Sequence, residues 1–276
     1  MINNIKIFLK GIRYKNIIIA LICCVLAASK LNALNYISTL IPISIVLFLM
    51  MIANLANDIL DIKTDSINRP NRPLIINPSL VQYFKIAILI FTILAIGLSF
   101  FINLKAQFIV IGSVPLLILY SKFFKSRPLI GNVFVAFYLS LVFIFIEIAI
   151  TNSIDLMTVP AIFAFGISLI REIVKDIQDY KGDQASKIKT LPILIGIKPC
   201  IYFVNFLIIC FLLACGIIML DFYFFYYIAT LIFIVFMPLF YLIFFLIKKP
   251  IIKSCREASA LLKKITILGL IIIYIT

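Results

Sequence analysis

Asn54, Asp58, Asp61 and Asp65 form one polar set, and Glu172, Asp176, Asp179 and Asp183 form a second with the same 4-3-4 spacing, 118 residues further on. Positions i, i+4, i+7 and i+11 share one face of a helix, so each set predicts a column of oxygen ligands. The chain has only 11 acidic residues, and seven of them fall in these columns. Six stacked Asp carboxylates repel one another unless cations lie between them. Oxygen-only ligand sets select hard cations such as Mg²⁺ or Ca²⁺ over zinc. The chain contains no His, so the usual zinc ligand and the usual general base are both missing. These residues predict a divalent-metal site whose ligands come from two helices.

The elements that must carry them are membrane helices. The chain of 276 residues is 64% hydrophobic, with a mean hydropathy of +1.23. A membrane helix needs about 20 mostly apolar residues. Runs of that kind fall near 16–33, 36–56, 82–104, 107–121, 130–150, 157–174, 199–219, 222–247 and 260–276. The expected fold class is all-α: a polytopic membrane bundle of about nine transmembrane helices in a single domain, 1–276. The fourth run is short and contains Pro115. The first follows Lys6, Lys10, Arg13 and Lys15, a pattern expected of an uncleaved first helix rather than a signal peptide. The six cysteines form no CxxC pair and lie mostly in apolar runs, so they read as small buried residues.

The net charge of +14 raises the possibility of nucleic acid, but its placement argues against that partner. Of the 25 Lys and Arg, all but Lys30 and Lys105 precede the first run or lie in and beside the loops after the even ones. By the positive-inside rule this places the N-terminus and those loops in the cytoplasm, with anionic membrane lipid as a further partner. Both acidic sets lie at the ends of the second and sixth runs, on that same cytoplasmic side. The equal spacing suggests two related halves, each donating one acidic helix end.

The loop after the first set reads N-R-P-N-R-P-L from Asn68 to Leu74. Each Arg-Pro pair stops a helix and fixes the local backbone, which holds Arg69 and Arg72 just beyond the last carboxylate. Arg suits bidentate phosphate contacts. The second set brings Arg171, Lys175 and Lys181. Carboxylates, guanidiniums and a hard cation together describe a diphosphate site. A diphosphate held in this way is a good leaving group. On an allylic carbon its departure leaves a carbocation, while the hydrocarbon chain lies among membrane helices. The protein then works by positioning and electrostatics.

The N-D-x-x-D-x-x-x-D run at Asn57–Asp65 and the D-x-x-D-x-x-x-D run at Asp176–Asp183 resemble the two signature motifs of the UbiA superfamily of intramembrane prenyltransferases. The resemblance covers nearly the whole chain. Within that family, N-R-P-N-R-P-L, R-E-I-V-K-D-I-Q-D-Y-K-G-D and the T-L-P at Thr190–Pro192 are most similar to the geranylgeranylglycerol-phosphate geranylgeranyltransferase branch, which forms an ether bond in isoprenoid lipid synthesis. The resemblance implies that Asn57, Asp58, Asp61 and Asp65 bind one face of a Mg²⁺-diphosphate, and that Asp176, Asp179 and Asp183 bind the other. It also implies a Tyr followed four residues later by Lys. Here Tyr120 is followed by Phe124, with Lys122 and Lys125 nearby. Asn132 is expected as a polar lining residue, with Asn54 added from the first column. Glu147 lies towards the outer end of its run and is not expected in the site.

The sequence thus leads to a Mg²⁺-dependent enzyme that transfers a prenyl group from a polyprenyl diphosphate donor to a prenylglycerol phosphate hydroxyl. Lys122 or Lys125 is expected to hold the acceptor phosphate, because both lie on a loop separate from the acidic motifs. An aromatic acceptor, as in quinone biosynthesis, is the enzymatic alternative. A cation transporter is the non-enzymatic one, disfavoured because transporter sites lie near the bilayer midplane and these carboxylates are flanked by Arg.

Overall fold

The computed structural model describes residues 2–124, 127–219 and 225–275. Helices dominate and no strand occurs among the described residues. The chain divides into two compact units, Met1–Lys125 with Val142–Thr158, and Ser126–Leu141 with Val159–Thr276.

The first unit begins with α1 (Ile2–Gly11), α2 (Tyr14–Lys30), α3 (Leu40–Leu60) and α4 (Ile62–Asn68). It continues with α5 (Pro73–Ile76), α6 (Val81–Ser99) and α7 (Leu104–Leu119), and includes the second half of α8 (Ile130–Thr151). A π turn, Tyr120–Phe124, follows α7. Beneath the end of α3, Ile12, Leu55, Leu74, Leu80, Phe84 and Ala87 form one buried cluster that joins α1, α3, α5 and α6. Gly11 is required there by close approach, since a Cβ would fall 2.4 Å from the Phe84 ring.

The ends of α7 and α8 are tied by polar contacts. Asn103 caps α7 by accepting the Ala106 N–H at 3.1 Å, and its amide donates to the Ile148 and Ala149 carbonyls at 2.6 and 3.2 Å. Glu147 is 1% exposed. Its carboxylate accepts the backbone N–H groups of Asp155, Leu156 and Met157 at 3.0, 2.7 and 3.1 Å. A buried charge is tolerable when it is hydrogen-bonded in this way. Glu147 is therefore a loop anchor.

The second unit holds the first half of α8, then α9 (Thr158–Gln178), α10 (Tyr180–Ala185), α11 (Leu191–Ile195) and α12 (Ile197–Met219). After it come α13 (Phe225–Leu231), a π turn over Ile232–Phe236, α14 (Met237–Lys248) and α15 (Ile252–Ile275). Ile170, Ile173, Val174 and Ile177 recur at helical spacing on α9 and are buried in a core shared with Val204 and Ile208 of α12, Leu242 and Leu246 of α14, and Leu262 of α15. That stripe fixes the rotation of α9 and leaves Glu172 and Asp176 off the apolar face. The Gln178 amide donates to the Cys255 carbonyl at 2.9 Å and ties the end of α9 to α15.

Among the described residues, five stretches are long and apolar enough to cross a membrane: Ile37–Leu60, Pro78–Ser99, Ile130–Thr151, Ile197–Ile218 and Ile228–Lys248. The other four expected runs coincide with α2, α7, α9 and α15, which are helical but shorter or interrupted by charge. Leu89, Ile93, Leu213 and Phe244 each expose 60% or more of their surface. Large apolar side chains presented outward along such helices suit contact with lipid. The protein is an integral membrane protein of all-α architecture. Cys24, Cys200, Cys215 and Cys255 are buried and free, as expected of packing residues.

Candidate active site

Neither acidic column lies on one continuous helix. α3 stops at Leu60 and α4 starts at Ile62, with Asp61 at the junction in a non-helical conformation (φ −93°, ψ 4°). The second set repeats the break: α9 stops at Gln178 and α10 starts at Tyr180, with Asp179 at φ −88°, ψ 3°. This corrects the expected single-helix columns. The i→i−4 ladder still bridges both junctions, through Asp61 N–H to the Asn57 carbonyl at 2.9 Å and Asp179 N–H to the Lys175 carbonyl at 2.9 Å. Asp, whose short polar side chain competes with the backbone, is a residue type suited to such an interruption. The same device at equivalent positions supports the reading of two related halves.

In the first unit the Arg-Pro pairs act as the sequence predicts. Arg69 ends α4 with φ −146°, ψ 65°, and Arg72 is extended (φ −69°, ψ 148°) before Pro73 opens α5. The turn brings the Arg72 guanidinium back over the end of α3. Its Nη1 donates to Asp58 Oδ1 at 3.1 Å, and its Nε lies 3.7 Å from Asp65 Oδ2. Asp58 is 2% exposed. Its Oδ1 also accepts from Arg13 Nη2 at 2.9 Å, while its Oδ2 is buried and has no partner. Asp65 is buried too. Burial pushes its carboxyl up from the ordinary range, and the nearby Arg72 and Arg69 guanidiniums offset only part of that rise. Asn54 is buried, and its amide nitrogen donates to the Ile12 carbonyl at 3.0 Å. Its nitrogen is thus committed to the elbow between α1 and α2. Asn57 and Asp61 are half-buried beside these groups on the chain.

In the second unit Asn132, near the start of α8, donates to Asp176 Oδ2 at 2.8 Å. Asp176 lies in the last turn of α9, past the apolar stretch. Burial pushes its carboxyl up to about 7, against the Asn132 hydrogen bond that favours the ion, and Glu172 and Asp183 push in the same direction as burial. Lys175 Nζ is held by both oxygens of Glu172 at 2.8 and 2.7 Å, and Arg171 Nη1 lies 3.6 Å from the same carboxylate. Lys175 is thus placed on Glu172, whereas Arg171 keeps a buried Nε with no partner. Asp183 is buried, and its carbonyl accepts the Ile188 N–H at 2.9 Å to close the turn after α10. Thr190, just before α11, is buried with an unpartnered hydroxyl.

Protein cations therefore neutralise part of each carboxylate set, which modifies the expectation that metal alone must separate the charges. Among the described residues no group of three carboxylates converges closely enough to hold a metal unaided. Mg²⁺ characteristically takes one or two carboxylates and completes its shell with substrate phosphate and water. The unpartnered Asp58 Oδ2, in an oxygen-only donor set, fits that mode of binding.

Tyr120 is half-buried at the start of the π turn, and Phe124 occupies the position four residues later. Lys122 falls in the same turn with its side chain outside the described residues, and Lys125 lies outside them altogether. Arg13, which meets Asp58 here, is not among the residues that the sequence singles out. Its charge reads from sequence only as a topology signal, and its one available hint is the Gly-Ile-Arg break between two apolar helical runs.

The profile of the UbiA prenyltransferase family matches residues 16–262. The digeranylgeranylglyceryl phosphate synthase of Thermococcus sibiricus is 36% identical over 200 residues, covering 71% of this chain and 70% of that protein. The synthase of the same name from Methanococcus maripaludis is 32% identical over 275 residues, covering 97% of this chain and 96% of its own. A solved structure of a digeranylgeranylglyceryl phosphate synthase superimposes with a TM-score of 0.77 at 28% identity, over 99% of this chain and 98% of that one. A UbiA homologue from Archaeoglobus fulgidus, solved with DMAPP and Mg²⁺, shares the fold with a TM-score of 0.68 at 15% identity, over 98% of this chain and 99% of that one. A family profile spanning most of the chain, relatives of which one is matched over nearly its full length, and a matching fold agree with the paired, Arg-flanked acidic motifs: this chain belongs to the UbiA prenyltransferase family.

Proposed function

We propose that this enzyme transfers a prenyl group from a polyprenyl diphosphate to the free hydroxyl of a prenylglycerol phosphate, forming an ether-linked lipid. The observation that carries the reading is the buried Asp58 with one oxygen held by two guanidiniums and the other unpartnered. The names of these relatives, one of them matched over nearly its full length, support the acceptor. In the reaction the allylic C–O bond to diphosphate breaks, the acceptor oxygen bonds to the freed carbon, and the hydroxyl proton passes to the released diphosphate.

Mg²⁺, when bound, neutralises the charge that develops on the departing diphosphate. Asp58, Asp61 and Asp65 are proposed as Mg²⁺-diphosphate ligands in the first unit, and Asp176, Asp179 and Asp183 as Mg²⁺-diphosphate ligands in the second. Arg72 holds Asp58 and lies beside Asp65, fixing where the two carboxylates sit, and Arg69, placed by the first Arg-Pro pair, serves the diphosphate. Asn132 orients Asp176 and favours its charged form. Asn57 and Tyr120 are proposed polar substrate contacts in the first unit, and Arg171 in the second. Asn54 contributes by fixing the elbow, and Lys175 by holding Glu172.

The acceptor is tested by incubating purified enzyme with Mg²⁺, prenyl diphosphates of several lengths, and either prenylglycerol phosphates or aromatic acids, with products identified by mass. An ether lipid phosphate is the expected product. Prenylation of an aromatic acid with none of the lipid would replace this acceptor by the quinone-type one. The acceptor phosphate needs its own cation, for which Lys122 and Lys125 are proposed. Changing the responsible lysine to Ala raises the acceptor KM about 10- to 150-fold and leaves donor affinity intact, as expected for lost ground-state binding.

The motif loops are proposed to face the cytoplasm. Ser66 and Gln184 are exposed, so Ser66→Cys and Gln184→Cys in a cysteine-free background should react with an impermeant thiol label from the cytoplasmic side alone. Labelling of both from outside would reverse the orientation.

A further inference from the structure

We propose that Arg13 is a positioning residue for Asp58, which makes the elbow between α1 and α2 part of the catalytic machinery. This rests on the reading of Asp58 as a ligand of the metal-bound donor.

Three independent features of the elbow converge on that carboxylate. First, Arg13 Nη2 and Arg72 Nη1 donate to the same oxygen, Oδ1, at 2.9 and 3.1 Å. Two donors on one oxygen fix the rotation of the carboxylate plane and leave Oδ2 as the atom free for a ligand. Oδ2 is buried and unpartnered. An unpartnered oxygen at that depth is costly unless something else occupies it.

Second, Arg13 adopts the left-handed conformation, φ 56°, ψ 56°. Gly takes up that conformation without strain, whereas a residue with a side chain is disfavoured there. A strained Arg at a turn that Gly would suit points to use of its side chain.

Third, the elbow is held at the right place by contacts other than the guanidinium. Asn54, one helical turn before Asp58, donates to the Ile12 carbonyl at 3.0 Å, and Gly11 packs closely on the Phe84 ring. Arg72 does not supply the same constraint by itself, because it is shared with Asp65 at 3.7 Å. Among the described residues, the ion-pair partner of Arg13 is Asp58.

Arg13→Gly separates the two roles, since it relieves the backbone and removes only the side chain. Turnover and the stabilisation conferred by Mg²⁺ plus a prenyl diphosphate are read together, in the wild-type and Asp58→Asn backgrounds. The Tm of the ligand-free variant should equal or exceed that of the wild type. Turnover should fall at least about 10-fold, the lower end for a charge-assisted hydrogen bond, and the ligand-induced Tm shift should shrink. In the Asp58→Asn background the same change should cost less than about 2-fold and reduce the shift no further, as coupling through one shared group requires. Arg13→Lys, which keeps a cationic donor, should recover part of the loss. It also runs the same cycle if Arg13→Gly does not fold. An equal loss in both backgrounds, or full turnover with a full Tm shift in Arg13→Gly, overturns the proposal. Wild-type turnover and Tm shift in Asp58→Asn alone would instead remove the donor-site reading beneath it.

Discussion

Asp58→Asn is expected to lower turnover at least about 100-fold, roughly 3 kcal/mol of barrier, with Asp61→Asn similar. Asn keeps the size of the side chain but loses the negative charge, so two guanidiniums face a neutral amide and the ligand oxygen lost is the buried one. Arg13 and Arg72 keep about a fifth of their side-chain surface exposed, 22% and 18%. Water can therefore reach them, and the variant should still fold. The loss should appear in the chemical step rather than in expression or in Tm of the ligand-free protein. Chelation should abolish wild-type activity, and added Mg²⁺ should restore it. Near-wild-type turnover in a folded Asp58→Asn preparation would remove this carboxylate from the mechanism.

The largest effect on stability is expected far from that site, at Glu147. Its carboxylate satisfies three successive backbone N–H groups in the loop before α9. Glu147→Ala strands those donors: the Met157 N–H is buried and costs about 1–3 kcal/mol when unsatisfied, while those of Asp155 and Leu156 lie on exposed residues that water can reach. The expected destabilisation is about 2–4 kcal/mol. Glu147→Gln keeps one carbonyl acceptor and should fall between wild type and Ala. Thermal unfolding in detergent measures the effect. Donor and acceptor KM of the folded Ala variant should match the wild type, because Glu147 serves the loop. A Tm equal to that of the wild type would show that the three hydrogen bonds contribute nothing net, and a raised donor KM would give Glu147 a role it is not assigned here.

Much of this protein is written in local patterns. Long apolar runs fix the helices because backbone polar groups in lipid must be satisfied within the segment. The 4-3-4 acidic spacing and the Arg-Pro pairs are equally local, so the motif turns, the placement of Arg72 after α4 and the family were legible in sequence. The helix breaks at Asp61 and Asp179 were not, because spacing alone is the same on a continuous helix and on one interrupted for a single residue. Partner choice was also beyond the sequence. Arg13 and Asp58 are 45 residues apart, and Asn132 and Asp176 are 44 apart. The pairing depends on which helix faces a buried polar group, and apolar packing decides that. Ile12, Leu55 and Phe84 form the cluster that seats the elbow under α3, and the Ile170–Ile177 stripe turns α9 so that Asp176 lies off its apolar face. The sequence by itself determined the chemistry of the ligands and the elements that carry them. The tertiary structure decided which charges neutralise one another and which oxygen is left free, because burial makes every such contact depend on residues distant in the chain.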